Sequence, residues 1–221
     1  MKKIIISFLA VVMVAPFLSV RAEAPFDGVL IALDAGHGGT EIGAWNATYQ
    51  VAEKEVNLAV VLALRSKLKG AGAYVVLTRE GDETISSRKD RVQIAMGKCQ
   101  TLYGRKCDIL VSIHHNGSTD PNHDGTLVIY NEKQDIPLAN ALHNALVQLT
   151  KQDEGYLNGG YGITVYNHLV SALTEAYYIT SDTEAYNYKY GSRVAEEADA
   201  QFAGLSYYFT NKSSGKGGKP R

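Results

Sequence analysis

The sequence predicts an α/β fold: a three-layer α/β/α domain with a central mixed, mostly parallel sheet of about six strands. Three observations support this fold class. Short apolar runs recur along the chain, segments with helical spacing of apolar residues separate them, and no internal repeat or linker divides the 221 residues. Because parallel strands need long crossover connections, this alternation places the sheet between layers of helices.

The first half of the chain supplies two strands and two helices. The continuous apolar run Gly28–Asp34 is typical of a strand buried on both faces. From Glu53 the apolar residues follow a helical spacing that stops at two glycines, and Ala73–Arg79 is the second predicted strand. A helix with Ser86 or Ser87 as its N-cap follows. The residues expected on its inner face are Val92, Ala95 and Met96.

The second half continues the alternation. Two further strands are predicted at Asp108–His114 and Gly125–Asn131. A helix begins at about Asp135, and the glycine- and tyrosine-rich stretch Gly155–Gly162 is predicted as a loop. The stretch ITVYNHLVSALTEAYY contains one or two strands. Apolar residues at intervals of four, four, three and four over 194–209 predict a closing amphipathic helix.

The two ends of the chain differ from the domain over 25–211. Residues 1–24 have the charged start, apolar run and small residues of a secretory signal peptide, with cleavage expected after Ala22 or Ala24. The apolar run is short for an uncleaved membrane anchor. We therefore expect the signal peptide to be cleaved and no membrane span to remain in the mature protein. The sequence therefore predicts an exported protein, in the periplasm or the extracellular cell envelope. Residues 212–221 form a predicted disordered basic tail.

The charge of the domain excludes one class of partner. Removal of residues 1–24 leaves 19 basic against 22 acidic side chains, and removal of the stretch NKSSGKGGKPR leaves 15 against 22. A nucleic-acid-binding surface needs a basic footprint, which this acidic body does not provide. We therefore expect no nucleic-acid partner.

The chain contains two cysteines, Cys99 and Cys107. Two thiolates are too few for a structural zinc cage. An exported protein meets an oxidising compartment, where a short disulfide loop can form. The sequence leaves a disulfide and two free thiols equally open.

Polar residues at the carboxyl ends of the predicted strands form a candidate metal site. His37 lies in the glycine turn of LIALDAGHGGTEIGA, directly after the first strand, and His114 ends the third. Glu53 opens the first long helix, whose N-terminal turn lies at the same edge of the sheet. Ligands bind at this edge in α/β sheets. Two histidines and a carboxylate match a catalytic zinc site, with Glu175 as a second carboxylate for proton transfer.

Each of these residues also has a simpler interpretation. His37 can be a turn residue, and Glu53 can be a favourable acid at a helix N-terminus. Because neighbours on a strand point to opposite faces, at most one of His114 and His115 reaches the metal, and the other is a surface residue or fills the core. Three histidines, His123, His143 and His168, are predicted to have no role at the site. The tyrosines Tyr186, Tyr188 and Tyr190 either line a sugar groove or are exposed packing residues.

These motifs resemble the zinc-dependent N-acetylmuramoyl-L-alanine amidases with the type-3 catalytic domain. LDAGHGGTEIGA is similar to the family's first zinc motif, and DILVSIHHNG is similar to its second histidine motif. The resemblance covers residues 28–209 and implies one Zn²⁺ ion held by His37, Glu53 and His114. SALTEAYYITSDTEA resembles the segment that carries the catalytic glutamate, which implies this role for Glu175.

The resemblance implies a peptidoglycan hydrolase that cleaves the amide bond between N-acetylmuramic acid and L-alanine of the stem peptide. Asn116 is expected to orient substrate, to support His114 or to be a turn residue, and His115 is expected near the substrate rim or behind a metal ligand. We expect no plug over the site and no separate wall-binding domain. Two alternatives stay open: an exported zinc carboxypeptidase that acts on stem peptides, and a catalytically inactive wall-binding module.

Overall fold

The structure is a computed structural model that describes residues 25–160, 162–166 and 168–214. The predicted signal peptide, residues 1–24, lies outside the described residues, and so does most of the predicted tail, residues 215–221. The closing helix runs to Ser214, so residues 212–214, which were predicted to belong to the tail, are part of this helix.

The described residues form strands and helices in alternation. The strands are β1 Leu30–Ala35, β2 Trp45–Asn46, β3 Val51–Ala52, β4 Tyr74–Leu77, β5 Ile109–Asn116, β6 Thr126–Tyr130, β7 Asp153–Asn158 and β8 Val170–Tyr178. The helices are α1 Glu53–Gly70, α2 Arg88–Tyr103, α3 Ile136–Thr150, α4 Asp182–Tyr190 and α5 Arg193–Ser214. Short 3₁₀ turns lie at Lys133–Asp135 and Gly162–Val165. Ser87 is the N-cap of α2, where its side chain accepts a hydrogen bond from the backbone N–H of Asp90.

The central sheet has six strands in the order β4-β1-β5-β8-β6-β7. Its neighbours pair in parallel except β6 and β8, which are antiparallel. Strands β2 and β3 form a separate two-stranded hairpin. The predicted mixed, mostly parallel sheet is therefore confirmed.

Buried side chains of β1 alternate between two cores, one on each face of the sheet. Ile31 and Leu33 belong to the larger core, which also holds buried residues of α1, α3 and α5. Leu30 and Ala32 belong to the smaller core, where they meet α2. Helices on both faces account for the continuous apolar pattern of the strand and confirm the three layers.

A disulfide in the smaller core joins Cys99 of α2 to Cys107, just before β5. The two Cα atoms are 5.6 Å apart, and the cysteines are separated by eight positions in the sequence. This settles the question that the sequence left open. The bond ties the end of α2 to the start of a central strand and limits the freedom of the unfolded chain.

Two local predictions were wrong, and one helix was not predicted. The predicted loop Gly155–Gly162 begins with the end of the edge strand β7, and five of the six residues of that strand are exposed, so no apolar pattern marks it. The helix α4 has only Glu184 and Ala185 buried, which leaves no apolar stripe to detect. Met96 of α2 is 36% exposed, although it was expected in the core.

We expect Leu142→Ala to destabilise the protein by about 2–5 kcal/mol, because Leu142 of α3 is fully buried in the larger core and its removal leaves a cavity. Urea unfolding measures the effect. The control Leu102→Ala, at a side chain that is 64% exposed, should change stability by no more than about 0.5 kcal/mol. Equal effects of the two substitutions would contradict the described packing of α3.

Candidate metal centre

Three of the predicted residues meet at the carboxyl edge of the sheet. Glu53 Oε2 lies 3.1 Å from His37 Nε2, and Glu53 Oε1 lies 2.9 Å from His114 Nδ1. One ligand atom from each of the three side chains lies within 4.8 Å of the others. Within the described part of the chain, this is the single group of His, Cys, Asp and Glu side chains with a geometry suited to a metal ion.

Two buried arginines hold the backbone of the loop that carries His37. Arg91 donates to the carbonyl oxygen of His37 at 2.7 Å, and Arg79 donates to that of Gly36 at 3.0 Å. Asp34 accepts a hydrogen bond from Arg91 at 3.0 Å. Burial raises the pKa of Asp34, but the charge of Arg91 and hydrogen bonds from two hydroxyl groups lower it by a larger amount. The pKa of Asp34 therefore lies below its usual value. The loop is thus fixed by a charged, hydrogen-bonded base.

Glycines permit the close approach of the three side chains. A Cβ atom at Gly36 would lie 2.2 Å from the ring of His114. A Cβ atom at Gly43, where φ is +72°, would lie 2.3 Å from Glu53 Oε2. A side chain at either position would displace a candidate ligand, which explains why the histidine stands in a glycine turn.

The Glu53 carboxylate is almost completely buried, with 4% of the residue exposed. It accepts hydrogen bonds from the backbone N–H of His115 and from Asn57 Nδ2, both at 3.2 Å. Burial alone would raise the pKa of Glu53, but the hydrogen bonds and charges of His114 and His37 lower it far below its usual value. Glu53 is therefore an anion at neutral pH, as a metal ligand must be.

Glu175 lies on β8 directly beside His114 on β5 and lines the same cleft. Its Oε2 atom is buried and has no hydrogen-bond partner among the described residues. Burial and the nearby charge of Glu53 raise the pKa of Glu175 well above its usual value. Such an unpaired carboxyl beside candidate ligands is a marker of a functional site.

The cleft that contains these side chains has a volume of about 770 Å³. Its wall also includes residues at the N-terminus of α2 and just before it, residues at the end of β5 and just after it, and the turn at Gly162–Val165. These are Ile85, Ser86, Arg88, Asn116, Gly117 and Ile163, with Tyr166 after the turn. The cleft can admit a molecule considerably larger than water.

The structure separates the two residues that the sequence placed around the ligands. Asn116 lines the cleft, and its Oδ1 accepts a hydrogen bond from the backbone N–H of Gly117 at 2.9 Å. His115 also borders the cleft, but it is only 1% exposed, and its ring bonds to Asn57 and Glu197. Of the two positions expected for His115, the structure gives the one behind a candidate ligand, because Asn57 bonds in turn to Glu53.

The other histidines and the tyrosines lie apart from the metal group. His123, His143 and His168 each contact a carboxylate elsewhere, namely Glu154, Asp153 and Glu132. Tyr186 and Tyr190 are exposed and form a ring cluster with Tyr49 of the β2–β3 hairpin, whereas Tyr188 is half-buried.

Sequence reasoning missed three residues that support the ligands: Asn57, Arg79 and Arg91. A signal was present for Asn57, which follows Glu53 by one helical turn and so shares its face. The arginines gave none, because each reaches the His37 loop from a distant segment.

No helix among the described residues is both long and apolar enough to cross a membrane.

The fold and the site together define an α/β/α protein with a candidate metal site in a cleft at the carboxyl edge of its sheet. The family model described as N-acetylmuramoyl-L-alanine amidase matches residues 31–207. The chain belongs to this family, which confirms the predicted family, the peptidoglycan hydrolase function and the enzyme class.

The chain is similar to individual proteins over most of its length, and two of the three described here are named amidases. The uncharacterized protein YqiI of Bacillus subtilis is 30% identical over 197 residues, which span 86% of this chain and 89% of YqiI. The N-acetylmuramoyl-L-alanine amidase LytC of B. subtilis is 31% identical over 85% of this chain, which spans 37% of LytC. The solved catalytic domain of CwlV, an N-acetylmuramoyl-L-alanine amidase of Bacillus (Paenibacillus) polymyxa var. colistinus, is 27% identical with a TM-score of 0.73, over 82% of this chain and 98% of that domain.

We expect Gly36→Ala to weaken metal binding by about 10-fold or more, since the added Cβ atom displaces the ring of His114. A Co²⁺ titration followed by absorption measures the affinity. Gly97→Ala in α2 is the matched control, because no atom lies within 4 Å of its added Cβ. The control should bind Co²⁺ as the native protein does and gain about 0.5–1 kcal/mol of stability. Native affinity in folded Gly36→Ala would show that His114 is not a ligand in this position.

Proposed function

We propose that this protein is an exported zinc enzyme that hydrolyses the amide bond between N-acetylmuramic acid and the L-alanine of the stem peptide. One observation carries the proposal: the donor atoms of His37, Glu53 and His114 converge in a cleft beside the unpaired carboxyl of Glu175. Membership of the N-acetylmuramoyl-L-alanine amidase family indicates which bond is cleaved.

The donor set fits one zinc ion. Two imidazoles and one carboxylate form a three-ligand protein set of the kind that catalytic zinc sites use. The amide of Asn57 and the backbone N–H of His115 hold the buried anion Glu53 in place by hydrogen bonds. Carboxylates that bind zinc are usually hydrogen-bonded in this way. When bound, zinc lowers the pKa of water to about 7 and polarises a carbonyl oxygen.

In the proposed mechanism Glu175 moves the proton. Its carboxylate takes a proton from the attacking water and passes it to the alanine nitrogen as the C–N bond breaks. Burial raises the pKa of Glu175 and so increases its affinity for the proton that it carries. Asn116, on the wall of the cleft, contacts the substrate or supports His114.

The proposed location is outside the cytoplasm, in the periplasm or cell envelope. The pattern of residues 1–24 supports export, and the Cys99–Cys107 disulfide fits an oxidising compartment. The substrate partner is peptidoglycan.

When the protein is incubated with purified cell-wall material, we expect the release of intact stem peptides with a free L-alanine N-terminus. A chelator should abolish this release, because it removes the ion that the three side chains hold, and added Zn²⁺ should restore it. Mass analysis of the fragments checks the bond. Peptides shortened at their carboxyl ends would instead identify a carboxypeptidase, and release that persists in chelator would contradict the zinc mechanism.

We expect Glu175→Gln to lower kcat by about 10²–10⁴-fold, because glutamine cannot carry the proton. KM and bound zinc should stay close to native, since Glu175 is not one of the three proposed ligands. Glu154→Gln, at a carboxylate bonded to Tyr178 and His123, is the control and should retain full activity. Equal activity of the two variants would remove Glu175 from the mechanism. A native protein that binds wall material without hydrolysing it would identify a wall-binding module.

A further inference from the structure

A line of buried polar side chains leads from helix α5 to the candidate metal centre. Glu197 Oε2 lies 2.7 Å from His115 Nε2, and His115 Nδ1 lies 2.7 Å from Asn57 Oδ1. Asn57 Nδ2 then donates to Glu53 Oε1 at 3.2 Å. His115 is 1% exposed, and neither Glu197 nor Asn57 has any exposed surface. Water therefore cannot replace these hydrogen bonds.

The directions of these hydrogen bonds follow from the acceptors. Asn57 Nδ2 faces two oxygen acceptors, Glu53 Oε1 and the carbonyl oxygen of Gly36 at 3.0 Å. Its Oδ1 is therefore the atom that accepts from His115 Nδ1–H. Asn57 has one orientation that satisfies all three neighbours, and His115 supplies the hydrogen bond that Oδ1 needs in this orientation.

His115 is itself held in a fixed position. Its ring packs against that of Tyr177, with centroids 4.4 Å apart, and its second nitrogen bonds to Glu197. Gln201 donates to Thr174 Oγ1 at 2.9 Å and lies 3.4 Å from Glu197 Oε1. The network therefore joins α5 to α1 and to the central strands β5 and β8.

We propose that His115 is a positioning residue of the metal centre. Held by Glu197, it orients the Asn57 amide, which in turn fixes the carboxylate of Glu53 as a ligand. The backbone N–H of His115 supports the same oxygen at 3.2 Å. Apolar packing is often at least as stable as a buried pair such as His115 with Glu197, so stability alone does not account for these residues. The inference rests on the proposed zinc site.

The double variant His115→Leu/Glu197→Leu separates positioning from stability. It replaces the polar pair by apolar side chains of similar size and leaves Asn57 Oδ1 without its donor. We expect Zn²⁺ affinity, measured by competition with a chromogenic chelator, to fall about 10–100-fold. The Co²⁺ absorption spectrum should change, while the metal-free protein keeps a cooperative urea transition, because the apolar pair offsets part of the cost, about 1–3 kcal/mol, of leaving Asn57 Oδ1 without a donor.

Two further variants complete the test. Glu197→Gln keeps a hydrogen-bonding group at His115 Nε2 and should restore Zn²⁺ affinity to within about 3-fold of native. His143→Leu removes another buried histidine that is paired with a carboxylate, Asp153, outside this network. It should leave Zn²⁺ affinity and the Co²⁺ spectrum unchanged.

Native Zn²⁺ affinity and a native Co²⁺ spectrum in the folded double variant would overturn the inference and leave the zinc site intact. A native protein that binds no Zn²⁺ would instead overturn the proposed function. If the double variant does not fold, Glu197→Met alone is measured. This variant keeps His115 but removes the carboxylate that bonds to its Nε2 atom. Weakened Zn²⁺ affinity would support the inference, and native Zn²⁺ affinity would overturn it.

Discussion

The architecture of the site depends on one buried anion, the carboxylate of Glu53 at the N-terminus of α1. Its Oε2 faces His37 and accepts a hydrogen bond from the backbone N–H of Ala44 at 2.9 Å. Its Oε1 faces His114 and the backbone N–H of His115. A charge that is buried to this extent is tolerated only where such partners surround it. The loop after β1, the end of β5 and the first turn of α1 therefore take their positions from the same group.

The apolar pattern was sufficient to predict the central part of the fold. Strands β1 and β5 and helices α1 and α5 have buried faces, and their hydrophobic spacing is visible in the sequence. The pattern fails where burial is slight. The edge strand β7 is exposed along most of its length, and the β2–β3 hairpin is too short to show a period. These elements are defined by pairing rather than by an apolar pattern: β7 pairs with β6, and β2 pairs with β3.

The sequence was sufficient to predict the candidate ligands of the site, but it gave less information about the residues that hydrogen-bond to them. His37, Glu53 and His114 stand at strand and helix ends, where a rule of α/β sheets applies. Their supports depend on contacts between distant segments: His115 meets Asn57 across 58 positions and Glu197 across 82. Local sequence contains no record of such pairings, so the partners of His115, and its place in the core rather than at the surface, appeared only in the structure. The sequence thus indicates the candidate ligands, and the fold determines which groups hold them in place.

The most direct test of the account is anomalous diffraction at the zinc edge from crystals of the protein grown with stoichiometric Zn²⁺. The account predicts one strong peak at the carboxyl edge of the sheet. It should lie about 2.0–2.2 Å from a nitrogen of His37, a nitrogen of His114 and an oxygen of Glu53. A peak at another site, or one that any of these three side chains fails to reach, would contradict it.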